Sequence, residues 1–454
     1  GVRENEIVTT NIPNCLSSII IYLASIRSGI IINPSPSSLS SNELLKHIKF
    51  LETKLLICKK DLDENLLDKN CLIENFSDDE SFFEKLELFS KKNCHKDISP
   101  NSAACVYYSS GTTGNSKYVL YSHLNMVSLA RSIVNDFGFS FNTNHLGILP
   151  LGHTAITNYQ FLPSLYVGST LFLAENFNII RPKLWKIIKL YKIDNLQIVP
   201  TVLFSILATP YKESEYKSNI SLKYIGCGSA PLSTESQNQF YKKFNIRVSN
   251  LYGLSESGPS HFDNPLKKDW KPGSIGTPLS VNECKIFSKD NKELDVNEIG
   301  QIGLKGDNIF IGYFKNEKAY KESFYNDYFL TGDLGYKDLE GKFYFADRQK
   351  DLIIKGGVNI VPAEIEEIIF KLSEVQSAAV VGVDHKYYGE EIIAFIQKKD
   401  PSLTEAKVNA LLTENLQPLK IPSKIIFLSQ MPVGPSGKIL KRELRKQLGT
   451  NKNA

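Results

Sequence analysis

Several absences narrow the reading of this sequence before any motif is considered. Its seven cysteines (Cys15, Cys58, Cys71, Cys94, Cys105, Cys227 and Cys284) are odd in number, contain no CxxC and stand apart from any clustered histidines. That pattern argues against a disulfide framework and against a zinc module, and it fits a reducing, cytoplasmic location. No apolar run is long enough for a membrane span. The most apolar stretch near the start, residues 17–32, is broken by Arg27 and Gly29 and falls short of the roughly 20 residues a span needs. The segment before it carries Glu4, Glu6 and Asn11 in place of the basic region of a secretory leader. Charge of one sign is lacking too: 53 Lys and Arg against 49 Asp and Glu leave +4, which gives no electrostatic case for nucleic acid or another polyanion. No internal repeat or long low-complexity tract occurs. What remains is an ordinary globular composition, 42% apolar, 22% charged and 11% aromatic over 454 residues. That length predicts two or three domains and a packed, enzyme-sized body.

Short apolar runs at 103–108, 171–174, 196–199 and 222–226 are bounded by Gly, Pro or Ser and read as buried strands. Helical patterns at 125–135, 182–191 and 233–244 alternate with them, which predicts α/β layers with largely parallel strands. In such layers ligands bind at strand-to-helix turns. From about Gly273 the pattern changes to short strands with Gly-rich turns, at 284–287, 301–305 and 342–346, predicting an antiparallel, barrel-like portion. A helical pattern at 362–372 then opens a small mobile α+β tail. The charged connector 347–351 is the candidate boundary, giving a large domain over 1–347 and a small one over 348–454.

The densest chemistry lies in Tyr107, Tyr108, Ser109, Ser110, Gly111, Thr112, Thr113, Gly114, Asn115, Ser116 and Lys117. An apolar strand precedes this loop and a helix pattern follows, so its backbone N–H groups and hydroxyls suit phosphate oxygens while Lys117 supplies charge. It is not a Walker A loop: Gly111 and Gly114 are too close together and Lys117 comes too late. A flexible linker is the bland alternative. Tyr252, Gly253, Leu254, Ser255 and Glu256 form a second turn, where a carboxylate and a hydroxyl suit Mg²⁺ and a phosphate; a purely structural turn is the alternative. Residues 226–231 resemble a dinucleotide fingerprint, but Pro231 stands where its third glycine belongs, which favours a plain tight turn. Asp333 offers a carboxylate suited to a ribose diol and Arg348 a cation; an Asx turn and a surface ion pair are the alternatives. Gly356 and Gly357 lie in a strand-turn-strand that permits close backbone approach. Lys438 follows Gly437, ahead of the basic run Lys441, Arg442 and Arg445, which by itself reads as a solvated helix.

In this order, these segments resemble the acyl-adenylate-forming, AMP-binding superfamily, in the style of acyl- and aryl-CoA ligases such as 4-coumarate-CoA ligase and firefly luciferase. The resemblance runs from Gly1, Val2, Ile12, Pro13 and Asn14 to Lys438, and it implies that Gly1 falls inside the large domain with a few dozen residues absent ahead of it. It implies that Ser109, Ser110, Gly111, Thr112, Thr113, Gly114 and Lys117 cover the ATP phosphates. Ser229, Ala230 and Pro231 would border adenine, with Tyr252 against its ring. Ser255 would touch phosphate, Glu256 would hold Mg²⁺, and Asp333 with Arg348 would bind the ribose. Lys438 would reach the reacting carboxylate, Lys350 would be the hinge, and Gly356 and Gly357 would line the pantetheine path. Ser255 replaces a usual threonine, Asn115-Ser116 stands where proline is common, and Tyr118 occupies a position usually held by glycine. None of these departures removes a charged role.

The resemblance places His153 and Thr154 beside the acyl pocket, with His153 as a gate or merely a turn cap. Thr201, Val202, Gly228 and Leu254 would complete a mostly apolar wall. No carboxylate occurs over 146–159, so an α-amino acid, whose ammonium would be buried unpaired, is disfavoured. The expected activity is ATP- and Mg-dependent activation of an aryl or fatty carboxylic acid to acyl-AMP, then transfer to CoA. The alternatives are loading of a separate carrier protein's phosphopantetheine and, in a different class, a non-catalytic nucleotide-binding regulator. Neither nucleic acid nor a membrane span is expected.

Overall fold

The computed structural model describes residues 1–59, 71–88, 96–109, 117–217, 220–230, 232–434 and 439–448. Two largely parallel sheets form the first part of the chain. One carries strands Ile7–Asn11, Ile31–Pro34, Leu55–Cys58, Leu72–Asn75 and Ala103–Ser109 in parallel, with Lys117–Ser122 and Gly312–Tyr313 antiparallel at one edge. The other is wholly parallel, in the order Arg247–Asn250, Tyr224–Cys227, Asn195–Ile198, Asn144–Gly147 and Thr170–Leu173. Apolar side chains on both faces of such strands account for their near-continuous hydrophobic runs.

The helix His123–Phe137 shows how local sequence sets its boundaries. Ser122 and Asn125 form a reciprocal capping box at its start, and Gly138 closes it in the left-handed region at φ 68°. The Asn125 amide also donates to the carbonyls of Asp307 and Ile309, at 2.6 and 2.9 Å. One buried side chain therefore ends a helix and anchors the distant segment leading into Gly312–Tyr313.

The Gly-rich region forms antiparallel sheets as expected. Strands Asn282–Phe287, Gly300–Gly306, Tyr328–Lys337 and Phe343–Arg348 pair in succession, beside a three-stranded sheet of Tyr252–Leu254, Gly258–Phe262 and Thr277–Pro278. The tail is α+β: strands Ile353–Lys355, Val358–Ile360, Val375–His385, Gly389–Lys398 and Lys424–Leu428 share one sheet, packed with helix Pro362–Ile369. Its buried core, built on Ile353, Ile365, Val380, Ile392 and Leu412, is a separate cluster from that of the preceding sheets. Among the described residues, no helix is long and apolar enough to cross a membrane. The described cysteines are unpaired.

Candidate active site

Strand pairing brings the first group of site residues together. Asp333 and Arg348 are direct register partners on the antiparallel strands Tyr328–Lys337 and Phe343–Arg348. Their side chains form an ion pair at 2.7 Å between Arg348 Nε and Asp333 Oδ1, while Tyr252 donates its hydroxyl to Asp333 Oδ2 at 2.8 Å. Asp333 is buried and Arg348 is partly open. Burial works against the Arg348 charge, yet Asp333 beside it moves its pKa upward on balance. The Tyr252 hydroxyl stays a donor because burial, followed by the Asp333 charge, raises its pKa well above the ordinary value. The carboxylate is thus held in one orientation from both sides, as a group reading a diol requires.

A second group assembles around Glu256. The Tyr313 hydroxyl donates to Glu256 Oε1 at 2.8 Å, and the Lys117 ammonium lies 4.3 Å from the centre of the Tyr313 ring. Burial, reinforced by the Glu256 charge, pushes the Tyr313 phenol upward and keeps it protonated. The turn is braced along its backbone: Phe310 N donates to the Glu256 carbonyl at 2.9 Å, Asn308 to the Ser257 carbonyl at 2.8 Å, and Tyr121 to the Ser255 carbonyl at 2.8 Å. Neither Tyr313 nor Tyr121 lies in a motif legible from sequence. The only signal for Tyr313 was a Gly-Tyr pair after an apolar run, and its role depends on pairing with Val119 across the sheet.

Among the described residues no set of three His, Cys, Asp or Glu side chains forms a metal cluster. Mg²⁺ needs no such cluster, since it takes one or two carboxylates and completes its shell with water and phosphate oxygens. Glu256, with one oxygen fixed by Tyr313, is the carboxylate that would hold it.

Around the expected acyl wall, Gly228 is buried, and a Cβ there would come within 2.8 Å of the Leu251 carbonyl. Ser229 follows in the left-handed region at φ 67°, which turns the chain toward Ala230. His153 accepts from Ala155 N through Nδ1 at 3.1 Å and so caps the short helix Thr154–Ile156; burial lowers its pKa and keeps the ring neutral. The chain then enters a π-helix, Thr157–Phe161, an element found disproportionately at functional sites. Thr154 is buried, Val202 and Leu254 are half-buried and Thr201 is exposed.

Tyr118 packs into an aromatic cluster: its ring stacks on Phe50, with centroids 4.8 Å apart, and meets His47 and Tyr108. Gly356 and Gly357 sit in left-handed conformations at φ 58° and 80°, exposed, with nothing within 4 Å of a Cβ at Gly357. The structure therefore does not bring this turn against the residues around Glu256 and Asp333. Lys350 is exposed, in the turn Gln349–Asp351, whose Asp351 is buried. Ser110, Gly111, Thr112, Thr113, Gly114, Pro231 and Lys438 fall outside the described residues, and Ser109 is described only as the last residue of its strand.

Acidic, basic and aromatic groups gathered around the turn that follows the parallel strand Arg247–Asn250 are the arrangement expected of a nucleotide-dependent α/β enzyme. Residues 1–314 match the model of the AMP-binding enzyme family and residues 364–438 match its C-terminal domain. The chain belongs to this family. It is similar to a sulfoacetate–CoA ligase of Cupriavidus necator, at 31% identity over 76% of this chain and 67% of that one. It is also similar to 4-coumarate–CoA ligase 1 of Arabidopsis thaliana, at 29% identity over 99% and 85%. Among solved structures, ATP-bound MatB from Rhodopseudomonas palustris superposes with a TM-score of 0.91 at 27% identity, over 98% of this chain and 89% of that one. The protein is accordingly an AMP-forming acid–thiol ligase, with a large N-terminal domain and a smaller C-terminal one.

Proposed function

We propose that this enzyme joins a monocarboxylic acid with an aryl or fatty acyl chain to CoA in two steps. The acid first attacks the α-phosphorus of ATP, giving acyl-AMP and pyrophosphate; the CoA thiol then attacks the acyl carbon and releases AMP. The observation that carries this reading is the convergence of Asp333, Arg348 and Tyr252 on one side and Glu256, Tyr313 and Lys117 on the other. The first group suits a ribose and its base, the second a charged phosphate chain.

The first step brings two anions together, so stabilisation of charge at the bridging oxygens is the main demand. Mg²⁺ bound at Glu256 would supply part of that positive charge. Lys117 and the loop 109–114 would hold the β- and γ-phosphates, Ser255 would contact phosphate, and Ser229, Ala230 and Pro231 would border adenine. Lys438 would neutralise the reacting carboxylate and α-phosphate.

The thiol needs the space that lysine occupies. The small domain, 348–454, would therefore rotate about Lys350 and present Gly356 and Gly357 to the pantetheine arm. Their exposure here supports reading this arrangement as the one used in the first step. The wall of Thr154, Thr201, Val202, Gly228 and Leu254 carries no charge, and neutral His153 adds none, which favours an uncharged acyl chain.

Acid-dependent exchange of labelled pyrophosphate into ATP, over a panel of aryl and fatty acids, tests the first step. Absence of exchange with every acid in folded protein would overturn the reading. Parallel reactions with CoA and with a phosphopantetheinylated carrier protein assign the acceptor; we expect acylated CoA.

A further inference from the structure

A buried group of charges lies outside the site, at the junction of the two domains. Its carboxylates come from three places: Asp347 at the end of strand Phe343–Arg348, Asp351 in the turn Gln349–Asp351, and Glu366 on helix Pro362–Ile369. Its cations both come from the last described helix, Lys441–Lys446. Lys441 Nζ meets Glu366 Oε1 at 2.8 Å, and Arg445 meets Asp351 Oδ1 at 3.0 Å. Burial acts against the Lys441 charge, but Glu366, Asp347 and Asp351 around it raise its pKa on balance. Lys350 adds a further positive charge near Asp351. A solvated basic helix, as the sequence alone suggests, would not place Lys441 and Arg445 in this interior.

These contacts divide by the side of Lys350 on which they lie. Glu366, Asp351, Lys441 and Arg445 all follow Lys350 and travel with the small domain, so their pairs survive a rotation about that residue. Asp347 precedes Lys350, beside Arg348, yet its Oδ2 accepts from Ala363 N at 3.0 Å and its charge faces Lys441. A second contact across the junction runs from Thr234 N to Glu367 Oε1, at 3.0 Å. Rotation about Lys350 has to break the Asp347 contacts while leaving the Glu366–Lys441 and Asp351–Arg445 pairs in place.

Resting on the two-step reading above, we infer that Asp347, helix Pro362–Ile369 and Lys441 form an orientation latch: Asp347 grips the start of the helix at Ala363 N from across the hinge, Lys441 ties the following chain to the same helix through Glu366, and the two act as positioning residues for the arrangement used in adenylate formation. Lys441 lies three residues after Lys438 in the chain, so its pair with Glu366 fixes the chain immediately after that lysine. The latch acts on the first step alone, because the second step needs it released. Removing one partner from a buried charge pair leaves the other unsatisfied, so the isosteric Asp347→Asn is paired with Lys441→Met, and Lys441→Arg serves as the conservative rescue.

The test measures two rates on the full chain: acid-dependent pyrophosphate exchange, and thioester formation from supplied acyl-AMP and CoA. We expect Lys441→Met and Asp347→Asn to lose exchange 10- to 100-fold while keeping thioester formation within threefold. Lys441→Arg should keep exchange within threefold of the parent. Equal losses in both rates, or unchanged exchange in the folded Asp347→Asn protein, overturn the latch alone. A parent protein with no exchange for any acid overturns the two-step reading and the latch with it.

Discussion

The strand Phe343–Arg348 is flanked by two buried ion pairs that have opposite uses. At its start, Lys342 meets Asp263 at 2.8 Å with both side chains about 95% buried, at 4% and 5% exposure. Asp263 is further satisfied by Lys271 N through its other oxygen. At its end, Arg348 meets Asp333 at 2.7 Å, but here the arginine is 26% exposed while the aspartate is 2% exposed. The first pair is sealed and joins the antiparallel sheet to strand Gly258–Phe262. The second is closed behind by Tyr252 and open in front. A charge pair that serves the fold has its remaining hydrogen-bonding capacity filled by protein, whereas one that serves a ligand keeps an accessible face.

That contrast is sharpest in the response to deletion. Asp263→Ala should cost about 3 kcal/mol of stability, the low end for a broken buried pair, because Lys342 stays buried with only the exposed carboxylate of Asp269, 3.5 Å away, as a partner; a denaturant titration reads the loss, and acid-dependent exchange at low temperature should stay within threefold of the parent. A variant that loses activity without losing stability would break the comparison. Asp333→Ala should do the reverse and lower kcat/KM for ATP roughly 100- to 1000-fold, the loss expected for hydrogen bonds from a charged group to two ribose hydroxyls. Steady-state kinetics at varied ATP measures it, and an effect confined to the acid's KM would contradict the ribose role.

Acid should find the sealed interior before the open site. Burial holds His145 down to about 4 and His261 down to about 3. Both folded values lie below the ordinary histidine range near 6.5, so the unfolded chain takes up protons first. The stability these rings contribute is fully present above pH ~6.5 and is lost as pH falls, by up to about 1.4 kcal/mol per unit for each ring, until their folded pKa values are reached. Thermal melts from pH 7 to 5 should show the fall, and His145→Gln should flatten it. The smallest effect belongs to Tyr313→Phe, which frees Glu256 Oε1 and should reduce activity about tenfold, in the range of lost support to a metal ligand. Raising the Mg²⁺ concentration should recover part of it; a magnesium-independent deficit would place Tyr313 in structural support only.

Much of the framework was readable from pattern. The strand expected at 196–199 is Asn195–Ile198, the helix expected over 125–135 is His123–Phe137, and the texture after Gly273 does belong to antiparallel sheet, which begins earlier, at Tyr252. Pattern worked here because burial on both faces of a parallel strand leaves a continuous apolar run, and because Ser122 and Gly138 are chemical end marks of a helix. It could not show that Asp333 and Arg348 stand opposite each other, since register between strands is set by turns and packing across the sheet. Nor could it find Tyr313, whose function lies wholly in what it touches.

The sequence by itself determined the chemical inventory. A strand followed by a hydroxyl-rich glycine segment and Lys117, the Ser255-Glu256 pair, and Asp333 and Arg348 in that order supply the charges and hydroxyls on which the proposed nucleotide chemistry rests, because residue type fixes charge and hydrogen-bonding capacity. Tertiary structure decided which of those groups became partners and which side of each pair stays open. It also took Lys441 and Arg445 out of the basic run and into the cationic half of a buried junction, while Arg442 stayed in solvent. The physical reason is that solvation and Coulomb energy depend on separation and burial, and neither is a property of a residue until the chain has packed around it.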